Sequence, residues 1–105
     1  MLGKNIILSK KAALTLLCHK YKVENLYLFG SALRDDFDEK TSDFDFLVNF
    51  KKSEIQIEDY ADNYFDFIYS LETLLERKID IQEEKAIKNP LFKQRVESTK
   101  QLIYA

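Results

Sequence analysis

The sequence predicts a small two-layer α/β (α+β) domain, with a sheet and helices packed against it. Two observations carry this: amphipathic helical stretches interleave with short strand-like runs, and no Pro/Gly/Ser linker, repeat or low-complexity tract divides the chain. With 105 residues, 46% hydrophobic and 32% charged, residues 1–105 are expected to form one domain. So short a chain leaves much of its surface exposed, which favours docking as a homo- or hetero-oligomer.

The first helix is expected over residues 9 to 22. Ser9 is a suitable N-cap, and Leu14, Leu17, Cys18 and Tyr21 recur at i, i+3, i+4 and i+7 as one apolar stripe. Residues 25 to 29, Asn-Leu-Tyr-Leu-Phe, form a short apolar run ended by Gly30 and read as a strand covered on both faces. Residues 31 to 42 are polar and loop-like.

A second strand spans Asp43 to Phe50. Its period of two sends Phe44, Phe46, Val48 and Phe50 to one face, and Asp43, Asp45, Leu47 and Asn49 to the other. A long helix from about Glu54 to Arg77 is expected next, opened by a Ser53/Gln56 capping pair. Ile57, Tyr60, Ala61, Tyr64, Phe65, Ile68, Leu71 and Leu75 would line its inner face, with Phe67 at the flank and Tyr69 outside. Arg77 and Lys78 suit the negative C-terminal end. Residues 78 to 82 alternate as a third strand with Ile79 and Ile81 inward and Asp80 outward. Asn89-Pro90 is an N-cap and N1 pair for a last helix, and Gln101 to Tyr104 can close the sheet as a fourth strand.

Composition excludes several functions. Sixteen Lys and Arg against 18 Asp and Glu leave a net charge of −2, unlike a basic surface for nucleic acid, so no direct nucleic-acid binding is expected. No apolar run reaches the ~18 residues of a membrane span and no secretory segment opens the chain, so no membrane partner is expected. The one cysteine, Cys18, cannot make an internal disulfide, and a cytoplasmic location follows as the default. His19 has no second histidine to share a zinc ion.

The chemistry lies in Gly30-Ser31, then eleven residues, then Asp43-Phe44-Asp45. Carboxylates at i and i+2 of a strand share a face, with Cα atoms roughly 6.5–7 Å apart. Asp80, between two isoleucines, repeats the design on another strand. If the two strands pair at ~4.8 Å, three carboxylates converge on one sheet face. Oxygen-only ligands of that kind favour Mg²⁺, two ions in the phosphoryl-transfer arrangement, or Mn²⁺. A glycine at the strand end lets backbone amides approach a phosphate, with donors added by the Ser31 hydroxyl and the Arg34 fork.

Leu28-Phe29-Gly30-Ser31-Ala32-Leu33-Arg34, with Ser42-Asp43-Phe44-Asp45-Phe46-Leu47-Val48, resembles the signature of the minimal nucleotidyltransferase (MNT) family, within the DNA polymerase beta-like nucleotidyltransferase superfamily. The resemblance runs through Arg77-Lys78-Ile79-Asp80-Ile81 to Leu102-Ile103-Tyr104-Ala105, about residues 23 to 105. Phe44 stands where a smaller aliphatic residue is usual, and Asp35 where a glycine often follows Arg34. The resemblance implies a mixed sheet with helices on one face and Mg²⁺ with a nucleoside triphosphate, ATP foremost, on the other. By position, Gly30, Ser31 and Arg34 would hold the triphosphate. Asp43 and Asp45 would ligate two magnesium ions, and Asp80 would complete a metal site and help deprotonate the acceptor. It further implies an antitoxin that transfers AMP to a tyrosine of a HEPN-type toxin. The alternative is an antitoxin that neutralises its partner by binding and occlusion, without catalysis.

Overall fold

The computed structural model describes residues 3–30 and 43–105. Eight elements follow one another: α1 (Gly3–Ser9), α2 (Lys11–Lys20), β1 (Val23–Phe29), β2 (Phe44–Phe50), α3 (Tyr60–Leu75), β3 (Ile79–Glu83), α4 (Pro90–Thr99) and β4 (Gln101–Tyr104). The strands form one mixed sheet in the order β3-β2-β1-β4. β1 pairs antiparallel with both β2 and β4, while β2 and β3 run parallel, joined by the α3 crossover. The fourth strand thus closes the sheet, as its apolar tail predicts.

The alternation in β2 holds along its length. Phe44, Phe46, Val48 and Phe50 are all buried in the main core with Leu26 and Leu28 of β1 and Ile81 of β3. α1, α2 and α3 cover that face through Ile7, Leu14, Cys18, Phe67, Leu71 and Leu75. Burial pushes the Cys18 thiol up to about 12, so it stays protonated and inert as a core side chain.

Two helix starts differ from expectation. Ser9 does not cap the second helix; it ends α1, and its hydroxyl donates to the Ile6 carbonyl at 2.7 Å. The Ser53/Gln56 pair forms no capping box, because residues 52–54 and 57–59 make two short 3₁₀ turns with no side-chain cap, and α3 starts only at Tyr60. The buried stripe of α3 runs through Phe67, which is fully buried against the rings of Tyr21 and Phe50, while Phe65 is exposed and Ile57, before the helix, is 90% exposed. Near the end of α3, Lys10, just before α2, donates to the Leu74 carbonyl at 3.0 Å. Arg77 instead lies over the Phe44 ring at 5.0 Å, where the larger aromatic provides a cation–π surface.

Among the described residues, the other face of the sheet is only partly covered. Asn89 accepts from the amides of Leu91 and Phe92 and so caps α4, as the Asn-Pro pair predicts. α4 then lays Val96 and Phe92 against Phe29, Tyr27 and Leu47, forming a second, smaller cluster. A polar strut fixes it: the Asn49 amide donates to Asn25 and Glu84, and Lys100 bonds Glu84 and lies over the Tyr27 ring at 4.1 Å. Among the described residues no helix is long and apolar enough to cross a membrane.

Candidate active site

The end of that second face which α4 does not reach, among the described residues, holds the acidic residues. Register alone brings two of them together, since Asp45 on β2 pairs with Asp80 on β3 in the parallel ladder. Parallel partners share a face, so the two carboxylates are neighbours at about one strand spacing, ~4.8 Å between backbones. Phe44 and Phe46 on one side, and Ile79 and Ile81 on the other, anchor both strands in the main core and thereby fix which way the acids point. Asp45 is half-buried and Asp80 exposed; Asp43, just before β2, is exposed.

Gly30 completes this end. Asp45 is also the register partner of Phe29, so Gly30 leaves β1 beside the carboxylate. Its φ is +76°, in the left-handed region, and a Cβ there would fall against Asp45 Oδ2, well inside van der Waals contact, and within 3.2 Å of Cγ. The bare backbone is therefore what lets the Asp45 carboxylate sit against the strand end. An oxygen-only donor set in this cradle suits a hard divalent cation. Among the described residues no three His, Cys, Asp or Glu side chains stand close enough to hold one ion together. The structure thus supplies the expected Asp45–Asp80 pairing, without the expected three-carboxylate gathering. Ser31 and Arg34 lie outside the described residues.

Two features of this end escape the sequence pattern. Tyr64, expected as a plain core residue, reaches the β3 edge and donates to the Ile81 carbonyl at 3.3 Å. Its phenol is pushed up by burial and, in second place, by the Asp80 charge. The second is a cleft of about 480 Å³ between β1 and α4, which has Gly30 in its wall. The only sequence sign of it is the isolated i, i+4 pair Phe92/Val96 in an otherwise polar helix.

A parallel pair of carboxylate strands, beside a glycine-ended strand in a four-stranded mixed sheet, defines the nucleotidyltransferase class of α+β domain. The chain belongs to the nucleotidyltransferase domain family, which matches residues 10–103, and it is a nucleotidyltransferase. Two Methanocaldococcus jannaschii proteins, each named "Putative protein adenylyltransferase", are similar to it. One is 39% identical over 89 residues, covering 85% of this chain and 83% of the relative. The other is 37% identical over 85 residues, covering 81% and 79%. Among solved structures, a "putative minimal nucleotidyltransferase" shares the fold at a TM-score of 0.73 and 23% identity, over 96% of this chain and 95% of that one. A toxin-antitoxin complex with AMP-PNP shares it at 0.64 and 16%, over 90% and 73%.

Proposed function

We propose that the chain is a Mg²⁺-dependent adenylyltransferase. It would move AMP from ATP to a hydroxyl, a tyrosine of a HEPN-type toxin, and act in the cytoplasm as the antitoxin of that partner. The observation that carries this reading is the Asp45–Asp80 register pair beside the bare backbone of Gly30. The names of the M. jannaschii relatives, and the toxin-antitoxin context of the structural neighbours, support the substrate and the partner.

On this reading the reaction would run along the strand order β3-β2-β1. An in-line displacement needs the attacking oxygen, the α-phosphorus and the leaving oxygen in a row. Asp80 on β3 takes the proton of the acceptor hydroxyl as its oxygen bonds to the α-phosphorus. The bond to the bridging oxygen of the β-phosphate breaks, and pyrophosphate leaves towards β1. There the Gly30 backbone would hold the leaving phosphates, and Ser31 and Arg34, the further donors expected from the sequence, lie outside the described residues. Asp43, just before β2, and Asp45 on β2 would hold Mg²⁺ between the two ends, and the bound ion would supply positive charge for the phosphorus in the transition state.

Intact-mass measurement of the copurifying partner after incubation with ATP and Mg²⁺ tests the reading. An added AMP per acceptor hydroxyl is expected, and no adduct with any nucleotide or divalent metal rejects it. One observation favours occlusion as a second contribution. α2 and α3 leave an apolar groove of about 470 Å³ lined by Leu16, Leu17, Tyr69 and Leu74, with Leu16 and Tyr69 exposed. Replacing Asp43 and Asp45 by Asn separates the two, since occlusion alone would leave neutralisation intact.

A further inference from the structure

α4 does more than cover the far half of the sheet. Its residues Phe92, Arg95 and Thr99 fall at i, i+3 and i+7, and face a cleft whose other walls are Phe29, Gly30 and Gln101. At about 480 Å³ it lies within the ~300–1,000 Å³ typical of small-molecule sites. Its floor is aromatic: the Phe29 and Phe92 rings meet edge to face at 6.0 Å, with Phe29 buried and Phe92 half-buried. Its rim is polar, since Arg95, Thr99 and Gln101 are all exposed.

Gly30 belongs to both places. It is the residue against which Asp45 packs, and it is also a wall of this cleft. We propose that the cleft receives the nucleoside of the nucleotide substrate, with its flat base against Phe92 and the Arg95 guanidinium. This rests on the adenylyltransferase reading above and gives it a base-binding subsite. An aromatic floor suits a π-face and is a poor bed for a polyphosphate, whose charge needs many donors. Arg95 stacks on a base as readily as it pairs with an anion. The Gln101 amide offers a donor and an acceptor side by side, the complement of the amino group and ring nitrogen of adenine.

The test compares ATP with inorganic tripolyphosphate, which has the phosphates and no base, by calorimetric titration in Mg²⁺. Arg95→Gln and Phe92→Leu are each expected to weaken ATP ~10-fold while leaving tripolyphosphate within about twofold. Equal losses for both ligands would place the phosphates in the cleft and overturn the proposal. Unchanged ATP binding in Arg95→Gln would also overturn it, while leaving the adenylyltransferase reading in place. A wild-type chain that binds neither ligand overturns both. Arg95 is exposed, so its variant decides the matter even if Phe92→Leu folds poorly.

Discussion

β2 carries two unlike surfaces on one strand. Its even-numbered residues, Phe44 to Phe50, are sealed beneath α1–α3, whereas on the other side exposed Asp43, just before the strand, is followed by half-buried Asp45 and fully buried Leu47. The first surface is uniform and the second is graded: among the described residues, α4 covers its far half. The contrast separates two tasks. The sealed face holds the strands in register, and the graded face presents what that register brings together. Damage to one should therefore change stability, and damage to the other should change chemistry.

The largest expected effects test that separation directly. Phe67→Ala removes a fully buried ring in contact with Tyr21 and Phe50, and should cost about 3–5 kcal/mol of stability in chemical denaturation. Asp45→Asn should lower adenylyl transfer at least ~100-fold while moving stability by less than about 1 kcal/mol. A transfer rate untouched by Asp45→Asn would remove the functional half of the contrast.

Gly30→Ala should break both surfaces at once. The new Cβ would meet Asp45 Oδ2, and the backbone would keep a left-handed φ that only glycine tolerates well. We expect about 1–3 kcal/mol of destabilisation, with transfer falling further than stability explains, since the carboxylate itself must move. Paired thermal melts and rates of Gly30→Ala and Asp45→Asn would separate the two contributions.

These positions also mark what the sequence made legible. Period-2 alternation in residues 43–50 displays both faces of β2 directly, and the isoleucines around Asp80 orient β3 in the same way. The parallel register that sets Asp45 opposite Asp80 is a long-range fact. It follows from the α3 crossover, and the pairing could be anticipated only conditionally. The misplaced start of α3 has a local cause. Ser53 and Gln56 have the composition of a capping box, yet the chain uses two 3₁₀ turns before committing to the helix at Tyr60, and the buried stripe runs through Phe67. Lys10 on the Leu74 carbonyl, and Tyr64 at the β3 edge, were invisible because each contact joins residues from separate elements.

A smaller effect concerns the strut that holds α4 over the graded face. Burial alone would raise the Glu84 carboxyl, but hydrogen bonds from Lys100 and Asn49 outweigh it and hold the group below its ordinary value. A depressed folded pKa means the stabilisation is present above the ordinary carboxylate range and is lost as pH falls through the folded value. Burial likewise works against the charged Lys100, yet its bonds to Glu84 and Glu97 leave it raised, so its share is lost only as pH rises through that raised value. The strut is therefore at full strength around neutrality. Lys100→Met should cost about 1–2 kcal/mol at pH 7, and the gap from wild type should narrow in acid denaturation profiles.

The smallest effect is the most local. Asn89 satisfies two amides at the first turn of α4 with one side-chain oxygen, at 3.0 Å to Leu91 and 3.2 Å to Phe92. Asn89→Ala should cost about 1 kcal/mol, because those donors then depend on water. The loss should appear as faster hydrogen exchange at Leu91 and Phe92, with the amides of β2 unchanged, since the sealed face does not rest on α4. Phe92 also forms the floor of the cleft beside Gly30, so the same variant should weaken ATP more than tripolyphosphate. If both ligands weakened together, α4 would be bracing the carboxylate end itself, and the two surfaces of β2 would be less independent than their burial pattern indicates.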